Sequence, residues 1–199
     1  MKHFSFVSII LFAITLNSQV IVENNKIGLE FLKAKKLSAL QGHTLIKIKS
    51  REIKTVMVKI KMNTLTDVKE LIDINKFYLI DDKTKSKIKL IDASFLEVTQ
   101  YFNFTKLVDE KYASLAKKHS YFSFDSSVRD TFYDYDIDGY NNIVFPINFG
   151  TKRKPKECII YYKPKKFKKK KLILFFPFLK SSKNTTLYYG NEEIQNFDL

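Results

Sequence analysis

The 199-residue sequence contains one cysteine, no tryptophan, five glycines and four prolines. A single cysteine excludes an internal disulfide, so packing alone must stabilise the fold. That residue, Cys158, lies in the apolar run ECIIYY, which predicts a buried core thiol rather than a reactive one. The few glycines and prolines form neither a flexible linker nor a phosphate-binding loop. We therefore expect a single domain over residues 19–199.

Patterns that support catalysis are also missing. Beyond position 18 the only histidines are His43 and His119, which lie far apart and form no zinc-binding pair. No G-x-S-x-G motif for a nucleophilic serine occurs. Paired carboxylates for glycoside hydrolysis depend on three-dimensional spacing, so the sequence leaves them open. We predict a protein that is not an enzyme and that holds no metal or cofactor.

Residues 1–18 have the pattern of an export signal. Lys2 and His3 precede an apolar run that ends at Leu16, and the small residue Ser18 follows. The run is shorter than the roughly 20 residues of a membrane-spanning helix. We expect cleavage between Ser18 and Gln19, hence a secreted or periplasmic protein with no transmembrane span in the mature chain. An uncleaved anchor or a buried strand is the alternative.

Much of the chain alternates apolar and polar residues with period two, which is typical of half-buried strands. Such strands are predicted at residues 44–50, 56–62, 76–81 and 87–95. More continuously apolar runs, expected near the middle of a sheet, occupy residues 142–149, 157–162 and 172–179.

Two other segments depart from this pattern, and two prolines interrupt the apolar runs. Residues 108–119 favour a short helix, whereas residues 28–42 fit either a helix or a strand. Pro146 and Pro177 predict edge positions or bulges. Together these patterns predict an all-β fold, an antiparallel β-sandwich with at most one or two short helices.

Two stretches carry a resemblance to a known family. In residues 56–81, MVKIKM leads through an Asn- and Asp-containing turn into the Phe-x-Leu strand FYLID, and residues 138–179 contain DGYNNIVFPINFG and later KKLILFFPF. This order resembles telokin-like, immunoglobulin-type secreted bacterial domains, and the export signal resembles those of secreted Bacteroidota proteins. The resemblance implies an immunoglobulin-like sandwich and an extracellular or periplasmic interaction module. It carries over no catalytic residue.

The segment YDYDIDGYNN, residues 133–142, begins like a calcium loop. Asp134, Asp136 and Asp138 occupy the first three ligand positions, and a glycine follows them. The closing position holds Phe145, which has no ligand oxygen, so an EF-hand is disfavoured. Two interpretations stay open: a weak cation site completed by Asn142, or a solvated turn that starts a strand at Asn142.

The charge is strongly positive and unevenly distributed. The formal net charge is +14, and it becomes +13 when the segment containing Lys2 is removed. Residues 121–142 carry a net charge of −4, whereas residues 143–180 carry +11. We expect the aspartate loop to lie against the lysine-rich segment and partly neutralise it.

Seven lysines and one phenylalanine form the strongest candidate site. They are Lys163, Lys165, Lys166, Phe167, Lys168, Lys169, Lys170 and Lys171. We predict a hairpin turn whose ammonium groups meet a polyanion while an exposed Phe167 wedges among headgroups or stacks on a ring. Lysine gives affinity without sequence readout, so no specific nucleic acid is expected.

These features predict an exported basic binding module. We expect it to adhere to an anionic membrane surface or an acidic polysaccharide through the lysine-rich hairpin. The alternative is an accessory protein-protein interaction or structural module of the cell envelope, with an envelope protein as partner. In that case the lysines protect a sheet edge and maintain solubility.

Overall fold

A computed structural model describes residues 19–37, 51–96, 101–117, 122–151 and 153–199. The predicted signal peptide, residues 1–18, and the predicted strand at residues 44–50 lie outside the described residues.

Two sheets dominate the fold. The larger sheet has six antiparallel strands, in the spatial order Gln19–Val22 (β1), Ile27–Leu37 (β2), Ile53–Thr64 (β3), Lys169–Leu179 (β16), Asp92–Leu96 (β7) and Tyr101–Asn103 (β8). The smaller sheet has five strands, in the order Asn141–Ile143 (β11), Ser86–Lys89 (β6), Phe77–Asp81 (β5), Asn184–Tyr189 (β17) and Glu192–Asp198 (β18). Within the smaller sheet only the pairing of β11 with β6 is parallel.

Short strands and helical turns complete the described chain. The strands are Glu70–Ile72 (β4), Lys106–Leu107 (β9), Phe122–Ser123 (β10), Ile147–Asn148 (β12), Glu157–Cys158 (β13), Tyr161–Tyr162 (β14) and Lys165–Phe167 (β15). One α-helix spans Ala113–Ala116 (α1), and 3-10 helices span Ile74–Lys76, Glu110–Tyr112 and Thr131–Asp134. Over the described ranges, none of these helices has the length and apolar character needed to cross a membrane.

The register of the larger sheet assigns its residues to two faces. Because successive side chains of a strand point to opposite sides, Val58 and Ile60 of β3 and their partners Leu174 and Leu172 of β16 share one face. All four are fully buried. They belong to one hydrophobic core with Leu79 of β5 and other residues of the smaller sheet. The two sheets therefore pack face to face as a β-sandwich.

The β-sandwich predicted from the sequence is confirmed, and its immunoglobulin-like connectivity stays a prediction. Residues 28–37 form most of β2, which identifies this ambiguous stretch as a strand over its described part. The run at 172–179 is confirmed as a central strand, because β16 is paired on both sides. The helix expected within residues 108–119 is present as α1 and the 3-10 turn before it.

Two apolar runs do not form the central strands that were predicted. Residues 142–149 divide between β11, at an edge of the smaller sheet, and β12, in a separate two-stranded pair with β13. Residues 157–162 divide between β13 and β14. Their apolar side chains instead pack against the core from outside the two main sheets: Phe145 and Phe149 are half-buried, and Cys158 is buried.

Pro177 lies in a central strand at a place where only one neighbour is paired. The pairing of β16 with β7 ends at Phe175 and Asp92, whereas its pairing with β3 continues past Pro177, which faces Thr55. A missing backbone N–H is tolerated at such a locally open edge. Pro146 lies between β11 and β12 and belongs to neither strand, so the expected edge position is found at Pro177 and not at Pro146.

A buried ion pair joins β9 to β7 beside this core. Lys106 Nζ lies 2.8 Å from Asp92 Oδ1, and the two side chains are 1% and 0% exposed. The Lys106 ammonium also lies 5.8 Å from the ring centre of Tyr162. Two charges withdrawn from water in this way stabilise the fold only while both are present.

Replacing Lys106→Met should therefore destabilise the protein strongly, because it removes the ammonium that neutralises a buried carboxylate. The free energy of unfolding, measured by urea denaturation, should fall by about 3–5 kcal/mol. The control Lys183→Met, at an exposed position, should change it by less than about 0.5 kcal/mol. Equal effects of the two substitutions would show that the ion pair has no structural role.

Candidate functional site

The lysine-rich segment is extended and does not form the predicted hairpin. The strand before residues 163–171, β14, pairs with β9, and β15, within these residues, pairs with β4. The last part of the segment lies in β16, between β3 and β7 of the larger sheet. The apolar runs on either side thus belong to different sheets, and the expectation of a turn between paired strands is wrong.

Phe167 is buried, so the prediction that it wedges into a membrane or stacks on a ligand is also wrong. Its side chain is 4% exposed. The centres of the Phe95 and Phe104 rings each lie 5.7 Å from that of Phe167 in edge-on contacts. A large aromatic side chain gains more from such packing than from exposure between charged neighbours, which explains its place in the core.

The predicted lysines separate into groups with different surroundings. Lys163 bonds Asp125 at 2.7 Å, and Lys168 lies 3.4 Å from Asp67. The ammonium groups of Lys165 and Lys170 lie 5.0 and 5.3 Å from the ring centre of Phe95. Lys166 is exposed and lies opposite Leu71 of β4. The eight residues predicted from the sequence therefore do not form one surface.

Lys169 and Lys171 belong instead to a larger basic surface that the sequence reading missed. They point away from the core because they alternate with the inward Leu172 along β16. The same alternation and the strand register place four further lysines of β2 and β3 on this side. We name the whole set the outer lysine face: Lys33, Lys35, Lys59, Lys61, Lys169 and Lys171.

Like charges lie directly opposite each other on the outer lysine face. Lys33 is the cross-strand partner of Lys59, and Lys61 is the partner of Lys171. Burial, followed by the charges of Lys33 and Lys171, lowers the pKa of Lys59. Glu30, which bonds Lys61 at 2.6 Å, is the only acid at the outward positions of β2, β3 and β16. Like charges opposite each other destabilise a sheet. With six lysines and one acid, this face keeps a positive charge that the fold does not neutralise.

Among the described residues, one ion pair joins the acidic segment at 121–142 to the lysine-rich segment. That bond joins Asp125 to Lys163, and together with Ser127 it lowers the pKa of Asp125 to about 2. Asp130 pairs with Lys89 of β6, and both carboxylate oxygens of Asp134 bond Arg129, at 2.5 and 2.7 Å. Asp125 thus neutralises Lys163, but it precedes the aspartate loop at residues 133–142, whose Asp134 bonds Arg129 instead.

The segment from Asp130 to Val144 covers the outer face of the smaller sheet. Phe132 packs on Tyr78 there, and the Lys87 ammonium donates to the carbonyl oxygens of Phe132, at 2.7 Å, and Tyr135. Burial lowers the pKa of Lys87. The two carbonyl groups and two aromatic rings that surround its ammonium compensate for part of the lost hydration. This segment thus has a structural role in covering the sheet.

Residues 133–142 end in a turn that starts a strand, as the second of the two interpretations expects. Gly139 has φ +78°, in the left-handed region, and β11 begins two residues later at Asn141. Within the described ranges, no group of three His, Cys, Asp or Glu side chains is arranged to hold a metal ion. Cys158 is buried as predicted, and its burial raises the pKa of the thiol.

Comparison with protein-family models, with curated proteins and with solved structures finds no match for this chain. The resemblance to telokin-like, immunoglobulin-type domains therefore stays a prediction.

Phe167→Ala tests the position of the aromatic ring. Because it removes a buried side chain from a three-ring cluster, it should lower the free energy of unfolding by about 3–5 kcal/mol in urea denaturation. Phe124→Ala, at a ring that is 37% exposed, should cost less than about 1 kcal/mol. A small effect of Phe167→Ala would place the ring at the surface after all.

Proposed function

We propose that the protein is an exported binding module that attaches to an anionic lipid surface through the outer lysine face. The observation that carries this proposal is the register of β2, β3 and β16, which aligns six lysines on one side of a sheet. Such a face meets many headgroup phosphates at once, and each lysine near an anionic membrane contributes about 1 kcal/mol.

Exposed aliphatic side chains favour a lipid surface over a soluble polyanion. Leu65, Val68 and Leu71 are 48%, 61% and 50% exposed. Leu65 and Val68 lie in the loop that follows β3. The backbone N–H of Thr64 donates to the Lys168 carbonyl at 2.8 Å, so this loop lies at the end of the sheet where β16 begins with Lys169. Aliphatic groups beside lysines match the boundary between acyl chains and headgroups.

Neutralising the centre of the outer lysine face should release the protein from anionic vesicles. The variant Lys33→Gln/Lys59→Gln/Lys171→Gln should bind vesicles containing phosphatidylglycerol about a hundredfold more weakly, since three lysines at about 1 kcal/mol each are lost. Co-sedimentation at several salt concentrations measures this change, and wild-type binding should weaken as salt screens the charges.

A matched variant separates the surface from net charge. Lys156→Gln/Lys180→Gln/Lys183→Gln removes three exposed lysines outside the face and should change binding by less than about threefold. An equal loss in both variants would contradict the assignment of the face. Retention by an envelope protein that resists high salt would instead favour the protein-interaction alternative.

Removing the exposed aliphatic groups tests the lipid surface separately. Val68→Ser/Leu71→Ser should weaken vesicle binding about tenfold, because less apolar area enters the bilayer boundary. Retention on a heparin column should stay unchanged, since heparin offers charge without an apolar layer. Equal loss on both supports, or no loss on vesicles, would contradict a membrane as the partner.

A further inference from the structure

Two polar clefts adjoin each other on a part of the surface distinct from the outer lysine face. The first, of about 510 Å³, lies between the β1–β2 turn and residues 189–192. The second, of about 440 Å³, lies between the same turn and the segment containing Arg129 and Asp134. Glu23, Asn24, Lys76 and Tyr135 line both. Each volume falls within the range of about 300–1,000 Å³ that is usual for ligand pockets.

The turn that forms the shared wall has a strained backbone. Glu23, Asn24 and Asn25 have φ values of 53°, 54° and 62°, so three successive residues without glycine occupy the left-handed region. Asparagine tolerates this region better than glutamate does. Residues held in such conformations cost about 1–3 kcal/mol each and cluster at ligand sites, where surrounding contacts impose them.

Contacts to the 3-10 helix Ile74–Lys76 and to β17 fix Glu23 in this conformation. Its Oε1 accepts hydrogen bonds from Lys76 Nζ at 2.8 Å and from the Tyr189 hydroxyl at 2.5 Å. Burial opposes the charged form of Lys76, but the bond and charge of Glu23 outweigh it and raise the pKa of Lys76. The wall of the clefts is therefore held before any ligand arrives.

Tyr135 is fixed between the two clefts. A Cβ atom at Gly190, which has φ +60°, would come within 3.3 Å of the Tyr135 ring, so the glycine allows the ring to lie against the backbone. The Tyr78 ring stacks on Tyr135 with 6.5 Å between centres, and the Tyr135 carbonyl accepts a bond from Lys87. The ring thus has a set position on the wall that both clefts share.

The charged groups that line the clefts are of mixed sign, three basic and five acidic, and several of them pair with one another. Arg129 forms two bonds with Asp134, and Lys76 pairs with Glu23. Asp73 accepts a bond of 2.7 Å from the Thr131 hydroxyl. These groups offer hydrogen bonds without a large net charge, in contrast to the outer lysine face. An anionic ligand would meet several carboxylates, and a cationic ligand would meet the basic groups, so the clefts suit an uncharged polar ligand.

We propose that the two clefts bind a neutral oligosaccharide, with one part of the sugar chain in each cleft and the wall that contains Tyr135 between them. Neighbouring hydroxyl groups of a sugar match the paired acceptors and donors of carboxylate, amide and guanidinium side chains. An aromatic ring offers a flat apolar surface to the C–H face of a sugar. Two clefts with a common wall fit a chain of sugars better than a single ring. This site contains none of the six lysines of the outer lysine face, although the exposed Leu71 lines its second cleft.

Affinity electrophoresis of the purified protein tests the proposal. Gels containing glycogen, laminarin, hydroxyethylcellulose or galactomannan carry no charge that would retain a basic protein. At least one should retard the wild type, and Tyr135→Ala should weaken that interaction about tenfold, because it removes the shared aromatic wall. Tyr133→Ala is the matched control, since this tyrosine is 44% exposed and does not belong to the residues that line the two clefts.

A second variant keeps the test valid if Tyr135→Ala does not fold. Asn191→Ala changes an exposed residue of the first cleft and should weaken retardation severalfold while thermal unfolding stays unchanged. The variant lacking Lys33, Lys59 and Lys171 should be retarded like the wild type, which separates this site from membrane binding. No retardation in any of the four gels, or equal loss in Tyr133→Ala, would overturn the proposal.

Discussion

The antiparallel pairing of β16 with β3 determines most of the structure. It joins Lys169 to Asn63 at one end and Leu179 to Ile53 at the other. This register places Val58, Ile60, Leu172 and Leu174 in the core, and it places Lys59, Lys61, Lys169 and Lys171 on the opposite side of the sheet. A slip of one residue would exchange these faces and bury the lysines, so the hydrophobic core enforces the arrangement of the outer lysine face. The proposed function thus follows from the same pairing that stabilises the sandwich.

Lysine has two different roles in this chain. Lys87, Lys89 and Lys106 are buried, where carbonyl groups, carboxylates and aromatic rings compensate for lost hydration. The lysines of the outer lysine face have one acid, Glu30, among the outward positions of their three strands. Several acids of residues 121–142 are engaged with Lys89, Arg129 and Lys163. Six lysines with one acid among them therefore make this side of the larger sheet locally positive.

Local patterns predicted the strands better than they predicted the site. Period-two alternation correctly identified the strand at 56–62 and the all-β class, because alternation reflects which side of a strand is buried. The predicted site failed at Phe167, since burial of this ring depends on Phe95 and Phe104, which are distant in sequence. The outer lysine face was missed for a similar reason. The alternating lysines at 59 and 61 were visible in the sequence, but only the register places them beside Lys33 and Lys171.

The central claim is that the lysines aligned by this register contact the anionic surface. Acetylation of lysine side chains, quantified by mass spectrometry with and without phosphatidylglycerol vesicles, tests it directly. Vesicles should protect the six lysines of the outer lysine face, Lys33, Lys35, Lys59, Lys61, Lys169 and Lys171, while Lys156, Lys180 and Lys183 should react at unchanged rates. Protection spread evenly over all lysines, or confined to those outside the outer lysine face, would contradict it.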